Sequence, residues 1–252
     1  MRMVVVLTCV VSVSAWAADP SVKEIAQKAR ERGGLNWSSL KAELKVVTTA
    51  GDGRVKEQQL VTSSRNVAGK TRTVSRFISP VGVAGVAVLV VEGGPGVADD
   101  ISLYLPKLKR VRKVAPTERG KSFMDTDFSY ADLGGSGAKD DDFSKTGDEI
   151  VDGRDTWVIE GKPGDASPYG QVKLWVDKAT FVPLRAEYQD KDGKLLKRYH
   201  TLSLKAFKGR TLAASMQMEN VQTHSKTVLT VLSLDDSALG DDAFTEQALE
   251  RG

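Results

Sequence analysis

FISPVGVAGVAVLVVEGG (77–94), ISLYLPKLKRVRKVAP (101–116) and SFMDTDFSYADL (122–133) follow one another in the middle of this chain. The first is apolar and punctuated by glycine. The second alternates like a strand and then turns abruptly basic. The third is short, aromatic and acidic. A β-branched, nearly unbroken run at Val83–Val91 reads as a strand buried on both faces, since a half-exposed strand would alternate. None of the three stretches carries a catalytic signature. Together they describe a wide apolar surface beside a cationic one, which suits binding better than chemistry.

The rest of the chain extends this pattern. Leu40–Thr49, Val55–Ser63 and Thr71–Ile78 read as strands of a meander, with Gly51-Asp52-Gly53 as a hairpin turn. Ile101–Leu105 and Lys109–Val114 follow. Glu149–Glu160 folds about Asp152-Gly153. Val172–Asp177, Leu184–Gln189, Lys194–Phe207, Leu212–Val221 and Lys226–Leu234 complete about eleven strands. The glycine- and aspartate-rich patch Gly134–Asp142 reads as a loop. One firm helix, Pro20–Arg32, precedes them all, with Asp19 or Ser21 as its N-cap and Gly33-Gly34 as its stop. Val22, Ile25, Ala26 and Ala29 form its apolar stripe, and Lys23, Lys28, Arg30 and Glu31 are assigned to the rest of its surface. Strands separated by turns rather than helices mean antiparallel pairing. A sheet this long curls. The expected fold is mainly antiparallel β with a few helices: an unclosed, strongly curved barrel whose N-terminal helix covers or plugs the opening.

The N-terminus predicts export. Met1-Arg2, an apolar stretch to about Val13, and Ala15-Trp16-Ala17 describe a secretory signal peptide cleaved after Ala17, leaving one domain over 18–252 in the periplasm. The apolar run is shorter than the roughly 20 residues that span a bilayer. Cys9, the single cysteine, lies inside this leader. Thr8 before it and the short apolar lead-in oppose lipidation, so the mature chain is expected to carry no thiol or disulfide. Losing Arg2 lowers Lys+Arg from 36 to 35 against 33 acids, a net charge near +2. So balanced a charge calls for no polyanion, and no nucleic acid partner is expected.

Chemistry is poorly supplied. His200 and His224 both fall in strand-like runs, and Gly134-Gly135-Ser136-Gly137 has the wrong spacing for a nucleophile elbow. Asp140-Asp141-Asp142 lacks the alternate spacing of a calcium loop and reads as a solvated loop. Zinc has no cysteines or paired histidines. The expectation is no enzyme, no cofactor and no metal. Asp127 and Asp132 are read first as turn caps.

Two surfaces remain. Lys109, Arg110 and Arg112, with Lys107 and Lys113, fit first an edge strand protected by charge and second a cationic rim for a head group or partner, and the two can both hold. Val86, Val88, Leu103 and Leu105 lie close in sequence to Phe123, Met124, Phe128 and Tyr130. With Trp157 and Trp175 they are the candidate lining of an apolar cavity, because a half-open barrel has more inward faces than its own helices fill.

At FISPVGVAGVAVLVV, YLPKLKRVRKV and SFMDTDFSYADL the chain resembles the outer-membrane lipoprotein-sorting-like proteins of the LolA/LolB superfamily. The pattern is carried by Phe77, Pro80 and Gly85, then Tyr104-Leu105-Pro106, Arg110 and Arg112. Ser122-Phe123-Met124, Asp127, Tyr130 and Asp132-Leu133 continue it. KLWVD (173–177), Pro183 downstream and the FTEQALER ending (244–251) also fit. The resemblance covers essentially the whole mature chain. It implies an unclosed β-barrel that holds acyl chains of lipoproteins or lipids on their way toward an outer-membrane acceptor. It also implies an arginine inside the barrel, for which Arg72, Arg76, Arg110 and Arg112 are candidates. Carriers of this branch are often associated with resistance-nodulation-division-type exporters. The second expectation is therefore an adaptor with a filled barrel that docks on such an exporter through its basic strand.

Overall fold

The computed structural model describes residues 19–33, 39–67, 70–94, 96–134, 142–163, 167–237 and 239–251. The expected leader, Cys9 and most of the 134–142 loop lie outside these residues. Helix α1 (Val22–Gly33) opens the described chain. Ser21 caps it: the Glu24 amide donates to Ser21 Oγ at 3.2 Å. A first meander follows: β1 (Ser39–Thr49), β2 (Val55–Val67), β3 (Lys70–Ser79), β4 (Ala87–Val91), β5 (Asp100–Leu105) and β6 (Arg110–Lys113). A second meander contains β7 (Phe143–Val151), β8 (Arg154–Gly161), β9 (Gln171–Asp177), β10 (Pro183–Gln189), β11 (Leu195–Phe207), β12 (Arg210–Asn220) and β13 (Ser225–Asp235). Helix α2 (Glu246–Arg251) ends it.

All thirteen strands form one antiparallel sheet in the order β6-β5-β4-β3-β2-β1-β13-β12-β11-β10-β9-β8-β7. The two meanders join where β1 pairs with β13, Val46 opposite Leu229. The sheet ends on β6 and β7, so it is unclosed. This is the expected curved antiparallel half-barrel with an N-terminal helix.

Strand β4 shows why its sequence does not alternate. Val88 and Val90 pack inward with Phe77 and Leu103. Ala87 and Leu89 pack outward under Phe244 and Leu249 of the C-terminal segment. With both faces covered, every position selects an apolar side chain. The strand is shorter than Val83–Val91, however. Residues 80–86 form a loop in which Gly85 takes φ +82°, a conformation open to glycine. The loop is closed by the Phe77 amide on the Val86 carbonyl and the Gly85 amide on the Phe77 carbonyl, both at 2.9 Å. Likewise Lys109 leaves β6 for the preceding turn, with φ +46°. His224 sits in the β12–β13 turn with φ +55° rather than in a strand.

Residues 115–134 cross the concave face as a strap. Phe123 meets Phe77 in a tilted contact with ring centroids 5.5 Å apart, which fixes the strap to the first meander, and meets Tyr130 of the strap edge-on at 5.6 Å. Phe128 packs against Ala186, Tyr199 and Met218 of the second. Among the described residues no helix is long and apolar enough to cross a membrane.

Candidate ligand-binding site

A cavity of about 400 Å³ lies between the concave face, the strap and α1. Its walls come from both meanders: Leu44, Leu60 and Val90 on one side, Met216, Leu229 and Val231 on the other. Alternation places these side chains there, because residues i and i+2 of a strand share a face. Ala26 and Ala29 of α1 close one wall. The helix is anchored by Ile25, which is fully buried against Trp157, Ile159 and Val176. Its C-terminal Gly33 comes so near Pro183 that an added Cβ would lie 3.1 Å from the proline ring.

The ten expected lining residues divide. Val88, Phe123 and Phe128 reach the cavity. Val86, Leu103 and Tyr130 are buried behind them in the core of the first meander, with Leu105 and Met124 packed at its margin. The tryptophans are elsewhere. Trp157 lies under α1 against Phe181, ring centroids 5.1 Å apart. Trp175 points to the other face, packed with Val151, Val158 and Leu184, where its Nε1 donates to Glu149 at 2.8 Å. Trp175 alternates with Leu174, which does line the cavity, so one position along the strand exchanges inside for outside.

The basic strand β6 is an edge strand. Lys109 and Arg110 are exposed. Arg112 is committed to Glu118 at 2.7 Å. That contact, with Lys121 and the Ala115 amide, holds the Glu118 carboxyl down to about 2. Of the other candidate arginines, Arg72 and Arg76 point to the convex side, opposite in parity to the cavity-lining Thr71, Thr73, Ser75 and Phe77. Arg76 there donates to the Ala248 and Leu249 carbonyls of α2. The arginines that do line the cavity are Arg30 and Arg32, in the last turn of α1. Sequence reasoning left Arg30 to the helix's solvent side and did not single out Arg32.

Arg30 is partly buried and faces the carboxylates Glu92 and Asp99. Burial raises the Glu92 carboxyl above the ordinary range, opposed by a hydrogen bond with Thr71. A second polar group lies on the strap. Asp132 accepts from Tyr169 at 2.7 Å, from the Ser129 amide at 2.6 Å and from Lys197 Nζ at 3.1 Å. Lys197 and the Asp132 side chain are both buried. Asp127 fixes the strap to β13 through Ser225 and Thr227, the latter at 2.7 Å. Asp132 does cap its turn, as expected, but both carboxylates also tie the strap to distant strands.

The histidines are not assembled with a nucleophile network. His200 meets Asp152 at 2.6 Å on the surface, and His224 is in its separate turn. Among the described residues no three histidine, cysteine or acidic side chains group to hold a metal.

Comparison places this architecture. A DUF1329 family protein from Desulfovibrio piger has a similar structure, at TM-score 0.84 and 26% identity over 90% of this chain and 97% of that one. A domain from Vibrio parahaemolyticus, provisionally named for outer-membrane lipoprotein sorting, matches at TM-score 0.81 and 29% identity over 91% and 98%. A LolA superfamily protein from Nitrosomonas europaea shares the fold at TM-score 0.71, with 19% identity over 91% and 99%. No curated protein matches the sequence. Residues 69–251 match the model of a "-like" family described as an uncharacterized protein. The chain belongs to that family, and its fold is the open half-barrel of the LolA superfamily.

Proposed function

We propose that this protein is a periplasmic carrier that holds acyl chains of lipids or lipoproteins in transit toward the outer membrane, without chemistry on them. The observation that carries this reading is the apolar cavity between sheet, strap and α1. Burial of a chain there would contribute about 0.8 kcal/mol per methylene, so retention rises with chain length. The Vibrio relative's name points the same way. The leader over 1–17, cleaved after Ala17, would deliver the protein to the compartment where such cargo crosses. Val88, Phe123 and Phe128 are the expected contacts that also face the cavity.

The exporter-adaptor alternative needs a barrel filled by its own side chains, and the 400 Å³ cavity is at odds with that. Delipidated protein incubated with labelled phospholipid or acylated lipoprotein should return a stoichiometric complex. An intact fold that retains neither would overturn the carrier reading.

A further inference from the structure

We infer that one end of the first meander docks the protein directly on an anionic lipid bilayer, with aliphatic loop tips entering the acyl region and basic side chains meeting the head-group phosphates. The surface is separate from the cavity, and the inference goes beyond the carrier reading without depending on it.

The fold gathers three turns at this end. β2 runs antiparallel to β3 with Gln59 opposite Ser79, so the β1–β2 hairpin and the β3–β4 loop leave the sheet together. Tyr104 pairs with Ala87 and Leu105 with Arg110, which brings the 106–109 turn to the same end. A Cβ on Gly85 would lie 3.4 Å from the Pro106 ring, so this loop and this turn are side by side.

Four of the eight large apolar side chains exposed among the described residues are found here: Val55, Ile78, Val81 and Leu108. Single exposed aliphatic residues are ordinary on a protein surface; their concentration on adjoining turns marks an interaction site. Val81 is 93% exposed and Leu108 60%. The Val81 loop is nonetheless fixed. Val86 is buried and Val83 packs against the same core. The Val83 and Val86 amides donate to the Pro80 and Val83 carbonyls, both at 3.0 Å. Two valines of the loop anchor it and the third is held out at its tip.

Charge selects the occupant. Lys107, Lys109 and Arg110 flank these tips and are exposed, and none of them forms an ion pair among the described residues. Other cations at this end are matched: Arg54 by Asp52, Lys56 by Asp125 and Lys45 by Glu57. Arg112 is held by Glu118 and takes no part. No acid occurs between residues 101 and 117. Aliphatic tips set among unmatched cations suit a membrane interface, where apolar burial adds to attraction for anionic lipids. None of these residues lines the cavity.

The test is flotation of the mature chain with two kinds of vesicle, one of mixed phosphatidylethanolamine and phosphatidylglycerol, the other of phosphatidylcholine alone. The protein should float with the anionic vesicles and bind the neutral ones at least about tenfold more weakly. Each basic side chain at such a surface is worth roughly fivefold, so Lys107→Gln/Lys109→Gln/Arg110→Gln should lose more than about tenfold. Val81→Ser/Leu108→Ser, which leaves the charge unchanged, should lose about tenfold. Residues 18–252 contain no cysteine, so bimane on Val81→Cys reports insertion. Its emission should shift to the blue on anionic vesicles, and bimane on Val97→Cys, at the other end of the sheet, should not shift. Leu229→Trp, which fills the cavity, should float like wild type. Loss of flotation in that variant would make the vesicles a source of cargo only and would overturn the inference. An unshifted Val81 label would overturn it too, as would binding confined to membranes that contain protein. Failure to float by a protein that still takes up labelled lipid would overturn docking and leave the carrier reading intact.

Discussion

At the scale of single residues, carboxylates matter more than the apolar side chains that first draw attention. Asp132 gathers Ser129, Tyr169 and Lys197 around one buried group. Removing one partner of a buried pair strands the other charge, so Lys197→Met should cost about 3–5 kcal/mol in urea unfolding. The double variant Asp132→Asn/Lys197→Met should recover part of that loss. Glu118 gives a pH signature. Its carboxyl falls from 4.5 to about 2 in the fold, chiefly through Arg112. A depressed carboxylate stabilises above its unfolded pKa and loses that contribution as pH falls through its folded one. Urea midpoints of wild type and Glu118→Gln should therefore differ at pH 6 and converge between pH 4.5 and 2. These residues were only half legible in the sequence. Asp132 could be read as a cap because capping is local. Its ties to Tyr169 and Lys197 join positions far apart in sequence, and no local pattern records them.

At the scale of elements, α1 and α2 cover opposite faces of the sheet, and their variants should separate stability from binding. Ile25→Ala under α1 and Leu249→Ala under α2 each remove a fully buried aliphatic side chain, and each should cost about 2–5 kcal/mol. Only Ile25→Ala should also weaken acyl-chain retention, because Ala26 and Ala29 beside it line the cavity and nothing of α2 does. Denaturation combined with lipid titration of both variants checks this. The strands were legible because alternation, or its loss when both faces are covered as in β4, follows directly from the pleat. Helix α1 was legible from its stripe of Val22, Ile25, Ala26 and Ala29. Its arginines were not: charge on a helix surface defaults to solvent, and only the curvature of the sheet brings the last turn of α1 to the cavity wall. The strap was the least readable element. It has no period, so its aromatic residues announced burial but not that Phe123 and Phe128 attach to different meanders.

At the scale of the whole molecule, two meanders share one sheet through β1 and β13, and residues 115–134 after β6 fold back across the concave face. The curvature creates more inward apolar surface than the strap and α1 fill, and the remaining space is the cavity. Strand number and pattern made a cavity one expectation beside a self-filled barrel; of its expected lining Val88, Phe123 and Phe128 face it, while Trp157 and Trp175 are spent on packing α1 and the convex face. The most direct measurement is native mass spectrometry of the mature protein as purified from the periplasm. It should be compared with Leu229→Trp, which places an indole in the cavity from β13 without touching α1 or the strap's carboxylate ties. The account predicts an added mass of one extractable acyl lipid on wild type and little or none on Leu229→Trp, with matching circular dichroism. Equal lipid occupancy in both, or a lipid-free wild type that also refuses added lipid, would contradict it.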